Sequence, residues 1–238
     1  MYISYTHRFI FIHIAKVAGL SLKAGLKDYA SEPTVFRIRR PPPVINGRPN
    51  RLYQMWESRV VHAQAQDIKK ELGVAFDEYY KFTFVRNPWD WQVSMYHFLL
   101  KETTNPLYQH IKTMQGFDEY LAWVVSTLAL KPYPKYATKF QKDMLIDEKG
   151  HLLVDFIGRY ETLAEDFTLL CQLLHIKAQL PHLNKSTHYD YTTYYNYYTR
   201  QLVAEHFRED IELFGYTFDG YKMGACGILR EPASYKFI

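Results

Sequence analysis

The sequence has only two cysteines in 238 residues, Cys171 and Cys226. That is too few for a disulfide framework, and their spacing suits no metal, so a reducing compartment is the simpler setting. Long apolar runs are also missing. The stretch at residues 9–14 (FIFIHI) is too short for a membrane span or for the core of a secretory signal. There is no low-complexity tract, no internal repeat and no convincing linker, so residues 1–238 read as one domain, long enough for one sizeable core. Neither sign of charge dominates: 29 Lys and Arg face 25 Asp and Glu, a net charge of +4. This balance suits an anionic ligand and lacks the dense basic stripe of a nucleic-acid binder. No Asp-rich pair or His/Cys spacing offers a metal site, so no metal ligands are assigned. Aromatic residues, in contrast, are plentiful at 17%, with 21 tyrosines.

Strand and helix patterns alternate along the chain. Residues 9–14 and 80–85 (YKFTFV) are short, nearly continuous apolar runs rich in β-formers, which predict buried parallel strands. Residues 153–157 predict a third strand. Helices are expected over 21–29, 63–72 (ending at Gly73), 117–130, 161–174 and 199–214 (ending at Gly215). Another opens at Pro88 behind Asn87, the favoured N1 and N-cap residues, with Val93, Tyr96, His97 and Leu100 on one face. Residues 37–51 (RIRRPPPVINGRPNR) read as an exposed loop. The alternation predicts an α/β fold, a central mostly parallel sheet flanked by helices.

Two strand-to-helix loops carry the chemistry. The first runs His13-Ile14-Ala15-Lys16-Val17-Ala18-Gly19-Leu20-Ser21. Such a loop aims unsatisfied backbone N–H groups and the positive end of a helix dipole at one point, and Lys16 adds a mobile cation. Gly19 allows close backbone approach, and Ser21 supplies a hydroxyl. Lys16 precedes the glycine, so this is not the GK[ST] order of a nucleotide kinase. The second loop is Val85-Arg86-Asn87-Pro88, with Ser94 two helical turns on. A guanidinium leaving a strand end holds a phosphate bidentately, and a hydroxyl completes its shell. Seen singly, each loop is equally readable as an ordinary turn with a solvated lysine or a structural salt bridge.

Together, FIHIAKVAGLSL and FTFVRNPWDWQVSMYHF resemble the phosphosulfate and 3′-phosphate loops of the sulfotransferase superfamily. The closest likeness is to its family 2, the carbohydrate sulfotransferases and their bacterial relatives. FIGRYETLAEDF and LPHLNKSTHYDY extend the likeness over nearly the whole chain. The resemblance implies a P-loop-like fold and the donor 3′-phosphoadenosine 5′-phosphosulfate (PAPS), with 3′,5′-ADP as product. It places Lys16, Val17, Ala18, Gly19, Leu20, Ser21 and Leu22 around the 5′-phosphosulfate, Arg86 and Ser94 on the 3′-phosphate, and Lys185 and Ser186 on a loop folding back over the cofactor. The implied reaction moves a sulfuryl group to a hydroxyl, a carbohydrate by the same likeness. Without the N-terminal anchor of most Golgi members, the implied setting is the bacterial cytoplasm. Homo-oligomerisation stays open, and so does a degenerate member that binds nucleotide or glycan but transfers nothing. Val17 and Leu20 stand where the family has hydroxyls, each worth roughly 1.5–3 kcal/mol on a phosphate.

Sulfuryl transfer is expected to be in-line, so positioning and electrostatics dominate. Lys16 is the group to stabilise the leaving 5′-phosphate oxygen. His62 lies between the two loops, and the resemblance gives it the role of base, with Glu57 in reserve; the residue alone is also readable as a helix-capping or packed histidine. His13 is expected to support the site from behind, and His97 to pack. Tyr189, Tyr191, Tyr194, Tyr195, Tyr197 and Tyr198 suit either sugar stacking or aromatic packing. Arg37, Arg39, Arg40, Arg48 and Arg51 suit either an acidic acceptor or a solvated surface loop.

Overall fold

The computed structural model describes residues 1–30, 44–45, 48–49, 62–105, 107–128, 140–181 and 189–230. The N-terminal part holds β1 (Tyr2–Ser4), β2 (Phe9–Phe11), α1 (Gly19–Leu26), β3 (Val44–Ile45) and β4 (Arg48–Pro49). Next come α2 (Ala65–Leu72), α3 (Val74–Glu78), β5 (Tyr80–Val85), α4 (Pro88–Lys101), α5 (Tyr108–Lys112) and α6 (Phe117–Leu128). The last part holds β6 (Phe156–Arg159), α7 (Leu163–Leu173), α8 (Tyr197–His206), α9 (Arg208–Phe214), β7 (Tyr216–Thr217), β8 (Gly220–Tyr221) and β9 (Gly227–Ile228). Among the described residues, no helix is long and apolar enough to cross a membrane.

The main sheet has the order β1-β2-β5-β6-β9. Its inner strands β2, β5 and β6 are parallel, with Phe11 opposite Phe82 and Val85 opposite Arg159. The edges β1 and β9 run antiparallel to their neighbours. All six residues of β5 are buried, which explains its unbroken apolar reading. Phe9, Phe11, Phe82, Phe84 and Phe156 fill the space on the sheet, and Phe82→Ala should cost about 3–5 kcal/mol. Lys81 and Thr83 are the polar exceptions; the Lys81 ammonium meets Asp155 at 2.9 Å, with both side chains buried.

Several expectations need adjustment. The third strand begins at Phe156, not at residue 153. The helix foreseen over 199–214 is two, α8 and α9, meeting at Phe207, whose φ of −100° and ψ of 22° depart from helical geometry. Part of the foreseen 37–51 loop pairs as β3 and β4. In sequence these strands are separated by Asn46-Gly47, a strong hairpin dipeptide. On α4 the deeply buried residues are Trp89, Trp91, Gln92, Val93, Met95 and Leu99, while Tyr96, His97 and Leu100 are only half-buried. This helix faces two ways. A second apolar cluster joins Trp89, Met95 and Leu99 to Phe117 and Tyr120 of α6 and to Val203 and Phe207. The other side of α4 meets the segments that leave the ends of β2 and β5, at Ala15 and Arg86. Ligands of open α/β sheets bind at such strand ends.

Candidate active site

The loop leaving β2 is pinned at its start: the Ile12 N–H donates to Phe82 O at 2.9 Å, and Thr83 Oγ1 donates to Ile12 O at 2.8 Å. Beyond that the backbone enters the left-handed region twice without glycine, at Lys16 (φ 65°) and Ala18 (φ 61°). Non-glycine residues persist there only when their surroundings hold them, and such strain clusters at functional sites. Ala18 is the N-cap of α1, and no side chain caps the helix. The first-turn N–H groups therefore keep their anion-seeking character. Val17, Ser21 and Leu22 are buried, whereas Leu20 is 62% exposed.

Gly19 also answers a packing need that the loop sequence does not show. The space a Cβ would fill belongs to His13, whose Nε2 would lie 1.7 Å from it. Only glycine lets the first turn of α1 sit against that ring.

Arg86 follows β5 and is almost fully buried. Its Nε and Nη2 donate to the Asp90 carboxylate at 2.7 and 2.9 Å, and its Nη1 donates to Lys16 O at 3.1 Å. The Tyr160 ring covers the guanidinium at 3.9 Å. Gln141 holds the Arg86 backbone on both sides, accepting from its N–H and donating to its carbonyl. Of the five guanidinium N–H groups, two have no partner among the described residues. Asn87 caps α4 as foreseen, accepting from Trp89 N–H at 3.1 Å.

The face of α4 turned to the loop carries Asp90, Ser94, Phe98 and Lys101, spaced at helical intervals. Ser94 is buried, and its hydroxyl has no hydrogen bond to a described residue. The Lys16 ammonium rests over the Phe98 ring, 4.6 Å from its centroid. Burial, then the Arg86 and Lys101 cations, bring the Lys16 pKa down to about 8. Sequence reasoning named Arg86, Ser94 and Lys16 but missed Asp90, Phe98 and Lys101. Counting turns along the helix from Ser94 would have found them.

His62 sits behind the loop. Its Nδ1–H donates to His13 O at 2.7 Å, which fixes the tautomer and leaves Nε2 as the nitrogen with the lone pair. The two rings lie 4.3 Å apart, and the His13 ring is itself wedged against α1. Burial brings the His62 pKa down to about 4, against the raising effect of the His13 carbonyl. His13 is held well below the usual histidine range by burial and by His62, and its buried Nδ1 has no hydrogen-bond partner among the described residues. Arg86, Lys16, Gly19, His13 and His62 thus form one connected series.

Lys185, Ser186, Glu57, Arg37, Arg39, Arg40 and Arg51 lie outside the described residues, as does the Arg48 side chain. His97 packs as foreseen, its Nε2 hydrogen-bonded to Tyr194 OH at 2.7 Å. The tyrosines divide. Tyr195 donates to Trp89 O at 2.8 Å, and Tyr191 hydrogen-bonds Phe218 O, so both pack. Tyr189 and Tyr197, each 82% exposed, and Tyr198, 71% exposed, face solvent. No group of three or more His, Cys, Asp or Glu among the described residues could hold a metal ion.

A crystal structure of a sulfotransferase from Alicyclobacillus acidocaldarius is similar, with 17% identity over 86% of this chain and 92% of that one, at a TM-score of 0.49. No curated protein matches the chain. The profile of the sulfotransferase family matches residues 1–217, a span that holds every strand except the last two and both strand-to-helix loops. The chain therefore belongs to the sulfotransferase family, enzymes that transfer a sulfuryl group to an acceptor.

Proposed function

We propose that the chain transfers a sulfuryl group from PAPS to a carbohydrate hydroxyl, with the donor held between the two strand-to-helix loops. One observation carries the donor assignment. At the uncapped N-terminus of α1, Lys16 has cations for neighbours and no carboxylate within ion-pair distance among the described residues. The Asp90 carboxylate offsets the Arg86 charge, and an anion at the first turn of α1 would offset that of Lys16. The remaining donors fit that ligand: two free N–H groups of Arg86 and the Ser94 hydroxyl suit a 3′-phosphate, and the first turn of α1 suits a 5′-phosphosulfate. When bound, PAPS supplies the sulfuryl group and leaves as 3′,5′-ADP.

In this reading the chain's residues divide the work. Lys16 places a positive charge where negative charge grows on the leaving oxygen. Val17, Ala18, Gly19, Leu20, Ser21 and Leu22 shape the loop, and Lys185 and Ser186 are assigned to the donor by the family resemblance alone. His62 accepts the acceptor proton at Nε2, because Nδ1 already carries a proton shared with the His13 carbonyl. Nearby negative charge raises its basicity above that of the ligand-free protein. The exposed Tyr189, Tyr197 and Tyr198 offer faces for sugar rings. The two free cysteines suit a reducing cytoplasm.

The test is transfer itself. Incubated with sulfur-labelled PAPS and a panel of glycans, phenols and aliphatic alcohols in the presence of a chelator, the protein should label a glycan. Label on phenols alone would remove the carbohydrate assignment. Label on no acceptor, with no PAPS consumed, would remove the donor.

A further inference from the structure

We propose that Asp90 is a positioning residue that couples the two loops, acting on the Lys16 turn through Arg86. Its carboxylate takes the Arg86 guanidinium at two points, 2.7 Å to Nε and 2.9 Å to Nη2, and both residues are buried. A two-point contact fixes the plane of the guanidinium, which a single charge contact would not. With the plane fixed and one face covered by Tyr160, Nη1 reaches the Lys16 carbonyl at 3.1 Å. Lys16 is one of the two left-handed residues of the loop, so that carbonyl is a place where the strained turn is held. Trp91, on the same helix, holds the preceding carbonyl, with Nε1 donating to Ala15 O at 2.8 Å. The direction of the Lys16 side chain thus descends from Asp90.

Charge alone argues the other way. A carboxylate beside an anion site repels the ligand, so removing it should tighten binding. If Asp90 positions the loop, removing it should weaken binding. The sign of the effect separates the two.

The experiment uses the full chain with Asp90→Asn and Asp90→Glu, and Arg86→Lys as a further variant that keeps the charge but loses the fork. The first amide of α1 bonded back to the loop is Leu22 N–H, at Ala18 O. Amide hydrogen exchange should quicken at least tenfold over residues 22–26 in Asp90→Asn and Arg86→Lys, while protection of β5 stays unchanged. Asp90→Glu, whose carboxylate can re-form the fork, should recover most of the protection. Calorimetry with 5′-AMP, which has no 3′-phosphate to meet Arg86, should show about tenfold weaker binding in Asp90→Asn and near-wild-type binding in Asp90→Glu. Unaltered exchange over residues 22–26 in the folded variants, or tighter 5′-AMP binding in Asp90→Asn, would overturn the proposal. The nucleotide arm rests on the donor reading above, whereas the exchange arm does not. A wild-type protein that binds neither 5′-AMP nor 3′,5′-ADP would sink the donor reading and still leave the exchange to decide the role of Asp90.

Discussion

A histidine brought down to about 4 is neutral at pH 7, and a lysine brought down to about 8 is still mostly charged there. The proposed base and the proposed cation are therefore both in working form at neutral pH. The signs follow from the roles. His62 accepts a proton only when neutral, so activity is lost as pH falls through its pKa; Lys16 acts only when protonated, so activity is lost as pH rises through its pKa. The profile of kcat/KM, which reports the free enzyme, should fall at an acid limb near 4 and an alkaline limb near 8. Lys16→Arg should carry the alkaline limb upward, because a guanidinium stays charged. An alkaline limb unmoved in Lys16→Arg would remove Lys16 from the reaction. His62→Ala should lower turnover by about 10²–10⁴-fold and leave the affinity for 3′,5′-ADP nearly untouched, the usual signature of a general base. Equal losses of affinity and turnover would make His62 a packing residue.

The elements explain why the loop can exist at all. β2 delivers His13 to the start of α1, and α1 must begin with a residue that lacks a Cβ. Gly19→Ala should therefore displace the His13 ring and, through the His13 carbonyl, His62. Overpacking of this kind costs about 1–3 kcal/mol. Thermal denaturation should show the loss, and adding His13→Ala to Gly19→Ala should recover part of it by vacating the space. No recovery in the double variant would mean that the clash lies elsewhere. Much of this architecture was legible in the sequence. The apolar runs gave β2 and β5, Asn87-Pro88 gave the start of α4, and the residue types of the two loops gave the anion site proposed above. Less legible was whatever depends on partners distant in the chain. The edge strand β9 has two residues and no pattern of its own, and the α8–α9 break lies inside a continuous helical period. The fork between Arg86 and Asp90 needed the helix built before the i, i+4 pair could be seen as part of the site.

At the scale of the whole molecule, the family match ends at residue 217, yet the sheet does not. β9 pairs with β6, and the N–H groups of Leu229 and Arg230 donate to Asp155 O. Phe218 packs on Trp89, Tyr191 and Tyr195, under the first turn of α4. The segment after the family match therefore braces the helix that carries Asp90 and Ser94. A chain ending at residue 217 loses the Phe218 packing, about 3 kcal/mol, and a loss of that size lowers Tm by about 6–12 °C in a protein of this length. A truncated protein melting with the full chain would show that the segment braces nothing.

The most direct test of the central claim is a pair of calorimetric titrations on the wild-type chain, one with 3′,5′-ADP and one with ATP. The donor site proposed above gives the 3′-phosphate its own place, at Arg86 and Ser94, so on that reading 3′,5′-ADP should bind at least tenfold more tightly than ATP. That preference should vanish in a folded Arg86→Ala variant. Equal affinity for the two nucleotides in the wild type, or a preference that survives Arg86→Ala, would contradict the assignment of these loops to PAPS.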